Sequence, residues 1–81
     1  MPKVLEKDGF RVVIYLSDHL PSHVHVWKGG GEVRIQLGSL HIAPSLMSVE
    51  GKISSKDVAK ALSLVKEYQK ALLKEWRKLH G

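Results

Sequence analysis

His23-Val24-His25-Val26-Trp27-Lys28-Gly29-Gly30-Gly31-Glu32-Val33-Arg34-Ile35-Gln36-Leu37 reads as a β-hairpin, and this hairpin decides the fold. On its first strand Val24 and Val26 alternate with His23, His25 and Trp27. On its second, Val33, Ile35 and Leu37 alternate with Glu32, Arg34 and Gln36. Successive strand residues point to opposite faces. The glycine triplet between them reads as the turn, because no Lys-Ser/Thr and no helix start follow it as a phosphate loop requires. Cross-strand neighbours share a face, so the valines of both strands must lie together or the core is broken. Whether Val26 opposes Val33 or Ile35, His23, His25 and Trp27 then join Arg34 and Gln36 on the second face.

Working outward, Asp8-Gly9 lies between two apolar runs and signals a second hairpin. Phe10 to Leu16 reads as a strand, with Phe10, Val12, Ile14 and Leu16 on one face and Arg11, Val13 and Tyr15 on the other. Ser17 to Ser22 reads as a loop that Pro21 helps to fix. Downstream, Leu40 to Ala43 adds at most one short strand, and Pro44 to Lys52 reads as a loop. Ser54 or Ser55 then caps a helix with Asp57 in its first turn. Val58, Ala61, Leu62, Val65, Tyr68, Leu72, Trp76 and Leu79 recur at helical spacing. Lys60, Lys66, Lys70, Lys74, Arg77 and Lys78 fall on the opposite side. Trp76 and Tyr68 therefore read as core; His41 and His80 are isolated and receive no role.

The expected architecture is α+β: one domain over residues 1–81, with a small antiparallel meander of four to five strands within residues 3–43. A loop over residues 44–53 leads to one long C-terminal helix over residues 55–80. That helix needs an apolar surface, and Phe10, Val12, Ile14, Val24, Val26, Val33, Ile35 and Leu37 provide it.

Composition narrows the function classes. An 81-residue chain supports one modest core. The absence of cysteine excludes a disulfide framework and any thiolate metal site. Met1 to Phe10 is too charged for a signal peptide, and no apolar run approaches the roughly 20 residues of a membrane span. A cytoplasmic protein without membrane contact is expected. Of the net charge of +5, residues 55–81 hold seven Lys/Arg against three Asp/Glu, so the basic character belongs to the helix. Such a face meets nucleic acid, an acidic partner or water.

His19, His23 and His25 fall within seven residues, just around Pro21. Three readings fit. In the first, His19, His23 and His25 ligate a metal with Asp18 or Glu32 as a fourth group. In the second, they move protons near neutral pH while Arg34 or Lys28 holds a phosphate. In the third, they fix a turn and pack under a partner. Trp27 on the same face stacks on a base, anchors an interface or caps the sheet edge. Tyr15, Arg11, Lys28, Arg34 and Gln36 complete this candidate binding surface. Whether the chain is an enzyme stays open, and no cofactor is expected.

Gly9-Phe10-Arg11, His19-Leu20-Pro21-Ser22-His23-Val24-His25-Val26, Gly30-Gly31-Glu32 and a late helix ending near Trp76 together resemble a small bacterial family. It is catalogued as domain of unknown function family 4160, and the likeness covers nearly the whole chain. Ser22 stands where members commonly have a second proline, and Gln36 where they commonly have an aromatic residue. The resemblance implies a genetic setting: members are commonly encoded beside a second small protein, of domain of unknown function family 2442. Some such pairs are described as type II toxin–antitoxin modules, with this type of domain as the toxin. The expectation is a toxin-like component neutralised by a small cognate antitoxin and acting on RNA, DNA or the translation machinery. A regulatory adaptor without chemistry and a histidine-based metal-binding domain are the rival expectations. The edges of so small a sheet also leave pairing with a second copy open.

Overall fold

The computed structural model describes residues 3–80; Met1, Pro2 and Gly81, at the ends of the expected domain, lie outside the described residues. Five strands form one antiparallel sheet in sequence order: β1 Lys3–Lys7, β2 Phe10–Val13, β3 His23–Lys28, β4 Gly30–Gln36 and β5 Ser45–Lys52. Two helices follow, α1 Ser55–Glu67 and α2 Gln69–His80. The class is α+β. Asp8 and Gly9 both adopt positive φ, 54° and 81°, and turn β1 into β2 with Lys7 opposite Phe10. That sign pattern is the primed turn whose twist suits a hairpin. In the deciding hairpin, Val26 lies opposite Val33, Val24 opposite Ile35 and His25 opposite Arg34.

One side of the sheet carries the core. Phe10, Val12, Ile14, Val24, Val26, Val33, Ile35 and Leu37 are all buried there, against Ala61, Leu64 and Val65 of α1 and Leu72 and Trp76 of α2. Full burial of each such side chain is worth about 1.5–3 kcal/mol, so this interface dominates the stability of the domain. Ser54 is the N-cap of α1: its hydroxyl accepts the Asp57 N–H at 3.1 Å.

The expected single helix is two. Tyr68, at φ −107° and ψ 18°, interrupts it. A straight helix from Ser55 to His80 would run about 39 Å at about 1.5 Å per residue, whereas the longest dimension of the domain is 33 Å. The break keeps α2 on the sheet and loses little, since the Tyr68 N–H still reaches the Leu64 carbonyl at 3.1 Å and the Leu72 N–H the Tyr68 carbonyl at 2.9 Å. Gln69 anchors the junction. Its side-chain Nε2 donates toward the carbonyls of Leu37, Ser39 and Ile42 at 2.7, 2.8 and 2.9 Å.

The expected loop over residues 44–53 is mostly β5, paired with β4 from Gln36–Ser45 to Gly30–Lys52. Two features hide it in the sequence. Arg34 faces Ser48 while Ile35 faces Leu46, so Met47 is an extra residue that breaks the alternation. Gly51 has φ 79°, and a Cβ there would sit 2.3 Å from the Gly30 carbonyl oxygen, so only glycine fits. The expected strand at Leu40–Ala43 is a single bridge between Ser39 and Ile42. The expected strand Phe10–Leu16 ends at Val13, and Leu16 is exposed rather than on the core face.

Candidate functional site

The chain leaves β2 through a turn that its own aspartate closes. The Asp18 N–H donates to the Tyr15 carbonyl at 3.0 Å, and the Tyr15 N–H donates to Asp18 Oδ2 at 2.9 Å. This turn carries the Asp18 carboxylate back over β3. The loop then passes through a cis Leu20–Pro21 peptide into His23. His23 Nδ1 donates to the Pro21 carbonyl at 2.8 Å, which leaves Nε2 3.5 Å from Asp18 Oδ1. His25 Nδ1 donates to Glu32 Oε2 at 2.7 Å, and its Nε2 lies 3.1 and 3.2 Å from the two Asp18 oxygens. Arg34 Nε stands 3.8 Å from the other Glu32 oxygen. The result is a relay in which Glu32, His25 and Asp18 are joined by hydrogen bonds, with Arg34 and His23 in ion-pair range at its two ends, 3.8 and 3.5 Å away.

The two imidazoles lie on one face, as the alternation requires, with ring centres 5.2 Å apart. The face is not the open surface expected of it. His25 is 6 % exposed and Glu32 8 %, and Val13 beside them is buried. Over His25 the covering element is the turn: the Tyr15 ring meets it edge-on at 4.7 Å and Asp18 closes the other flank. His23 leans the other way, its ring 5.6 Å from Trp76 of α2.

Electrostatics fit this packing. Burial pushes the Asp18 carboxyl up, but the Tyr15 N–H and the imidazoles of His25 and His23 outweigh it, so the group lies below its ordinary value of 3.8. Ionised carboxylates only accept hydrogen bonds. Both contacts of His25 are therefore hydrogen bonds at once only when both ring nitrogens carry hydrogen. Two carboxylates flanking one imidazole hold it in a single orientation.

Asp18 is also the floor of a groove of about 570 Å³ between the loop and α2. His19, Leu20 and Ser22 line one wall; Leu73, Trp76, Arg77 and His80 line the other. His80, to which the sequence reading attaches no role, stacks on Trp76 at 3.9 Å and 21°. Its ring nitrogens face the Trp76 and Tyr15 carbonyls at 3.1 and 3.2 Å, pinning the end of α2 to the turn that carries Asp18. The i, i+4 spacing of an aromatic and a histidine on one helix face is the signal that marks this pair.

The predicted site residues thus separate. His23 and His25 converge with Asp18, whose carboxylate and the two imidazoles place ligand atoms within 4.8 Å of one another. Glu32 stands behind His25 instead of beside Asp18, and His19 is exposed on the groove lip. Tyr15 packs on His25, and Gln36 lies across from His23. Trp27 sits between Arg11 and Glu32 toward the hairpin end, beside the carboxylate that holds His25 and outside the Asp18–His23–His25 set. Lys28 serves the first hairpin, donating to the Asp8 carbonyl at 3.0 Å and lying 4.7 Å over the Phe10 ring. Among the described residues, no helix is long and apolar enough to cross a membrane.

The family model described as Domain of unknown function (DUF4160) matches residues 9–77. That span takes in the turn, the deciding hairpin, the whole histidine–carboxylate relay and most of α2. No curated protein and no solved structure matches the chain.

Proposed function

The chain belongs to this family of unknown function, and on that premise we propose that it is the toxin-like component of a bacterial type II toxin–antitoxin module, acting on RNA and neutralised by a small cognate antitoxin. The observation that carries this reading is the convergence of His23 and His25 on Asp18, whose carboxylate lines a groove with Arg77 on its wall. Histidines held by carboxylates are the groups that move protons near neutral pH. The exposed Lys70, Lys74, Arg77 and Lys78 of α2 continue from the groove as a basic surface, suited to a phosphate backbone.

The antitoxin reads onto the other end of the sheet. β5 is an edge strand of eight residues with Leu46, Met47 and Val49 nearly half exposed. Unpaired backbone groups beside apolar side chains favour a partner that adds a strand.

The test is expression of the chain in bacteria, alone and together with the small protein encoded beside it. Growth arrest by the chain alone, relieved by the partner and absent with His23→Ala, supports the reading. Unimpaired growth, or full arrest by a folded His23→Ala protein, contradicts it and favours an adaptor without chemistry.

A further inference from the structure

We propose that Asp18, His23 and His25 form a three-ligand site for a divalent transition-metal ion of the zinc class, with Glu32 and the Pro21 carbonyl as its supporting shell. The proposal stands on the arrangement of atoms; with both Nε2 atoms on an ion the imidazoles would hold metal rather than carry protons, and any acid–base step in the groove would fall to water bound at the ion.

Three features of the cluster point the same way. First, both imidazoles give their Nδ1 hydrogen to an oxygen, Pro21 O at 2.8 Å for His23 and Glu32 Oε2 at 2.7 Å for His25. This is how metal-binding histidines are oriented: the second nitrogen is anchored and Nε2 is presented. Secondly, both Nε2 atoms are presented to the same oxygen. Asp18 Oδ1 lies 3.1 Å from one and 3.5 Å from the other. Two ligand atoms each about 2.0–2.1 Å from one ion in tetrahedral geometry stand roughly 3.3–3.4 Å apart, between these two separations. Thirdly, the three side chains are largely buried, with 12, 7 and 11 % exposure for His23, His25 and Asp18, yet Asp18 also lines the groove. Three protein ligands on a rigid strand and a pinned turn, beside an accessible groove, leave a fourth position for water or a substrate oxygen.

The ligand chemistry selects the ion. Two imidazoles and one carboxylate suit zinc and its first-row neighbours, whereas magnesium and calcium take all-oxygen sets. The strand supplies the H-x-H spacing, since His23 and His25 must share a face. The turn supplies the carboxylate, which Tyr15 N–H and the His80 latch hold in place.

The experiment is titration of the chelator-treated protein with zinc chloride, followed by calorimetry and by thermal unfolding, with cobalt chloride as a spectroscopic substitute. The expected result is one ion per chain and a visible cobalt spectrum of low-symmetry coordination. At a hundredfold excess over Kd the unfolding midpoint rises by about 10–20 °C. His23→Ala, which trims a side chain at the edge of the cluster, abolishes the one-to-one binding while the protein remains folded. Glu32→Gln keeps the ligands but weakens binding by about 10–100-fold, as loss of a supporting carboxylate does. His41→Ala, at an exposed site away from the cluster, binds as the wild type does. Substoichiometric zinc in the folded wild-type protein, or unchanged one-to-one binding in His23→Ala, overturns the proposal. Growth arrest in cells is a separate readout, so a metal-free toxin and an inert zinc protein give different results.

Discussion

Glu32→Leu tests the relay where it is most buried. Glu32 is 8 % exposed and takes the His25 Nδ1 hydrogen at 2.7 Å. Leucine removes that acceptor and leaves a buried donor with no partner, a loss of about 3 kcal/mol once the broken charged contact is included. For a domain of this size about 1 kcal/mol moves the midpoint by roughly 4–8 °C, so Tm falls by about 12–24 °C. Glu32→Gln retains an acceptor oxygen and loses only the charge, for about 1–2 kcal/mol. The double variant Glu32→Leu/His25→Phe removes donor and acceptor together. It regains about 2 kcal/mol relative to the sum of its single variants, because neither group is left stranded. Urea unfolding of wild type, Glu32→Leu, Glu32→Gln, His25→Phe and the double variant, read by tryptophan fluorescence, measures these values. Equal stability of the Leu and Gln variants, or strict additivity in the double variant, refutes the reasoning, since the His25–Glu32 contact would then carry no energy.

Gln69→Leu strands three carbonyls of the 37–42 segment and lowers stability by about 2–3 kcal/mol, whereas Gln69→Glu lowers it further by facing those oxygens with a charge; urea midpoints check the order, and equal values would contradict it. Gly51→Ala drives a Cβ to 2.3 Å from the Gly30 carbonyl oxygen and costs more than about 2 kcal/mol, with amide exchange in β5 rising first; unchanged protection of β5 speaks against the strand. Because the folded-state value of Asp18 is depressed, its contribution in metal-free protein is fully present above 3.8 and disappears as pH falls through the lower folded value. Wild type and Asp18→Asn therefore differ at neutral pH and converge in acid, and a gap in stability that stays constant from about pH 7 to 2 would contradict the assignment. Leu46→Lys on the β5 edge leaves the stability within about 0.5 kcal/mol of wild type but blocks capture of the partner protein; intact capture would remove the edge from the proposed interface.

The sequence makes the centre of the sheet legible because that part obeys one rule. Val24 and Val26 on β3, and Val33, Ile35 and Leu37 on and just after β4, are buried under the helices, so alternation along each strand places His23 and His25 together. What escapes the reading is set by tertiary constraint. β5 has a bulge at Met47 and almost no buried residue, so its strand state comes from pairing with β4 and leaves no pattern of its own. The break at Tyr68 depends on the width of the sheet that the helices must fit, and no local propensity states that width. Asp18 and Glu32 are foreseeable as carboxylates near the histidines. Their opposite stations on the two nitrogens of His25 arise from the turn closed by Tyr15 and from a diagonal across the hairpin. Burial of His25 has the same origin: an aromatic ring from the loop closes a face that strand alternation alone leaves open.

The claim beneath the whole account is that both histidines are anchored through Nδ1 and present Nε2 to the Asp18 carboxylate. Nitrogen-15 NMR of the imidazoles, before and after one equivalent of zinc, addresses it atom by atom. The account predicts that both Nδ1 atoms bear hydrogen throughout and that only the two Nε2 resonances move to metal-bound positions. Zinc shifts at Nδ1 of either ring, or no change at His23 and His25 while His19 or His41 responds, would contradict it.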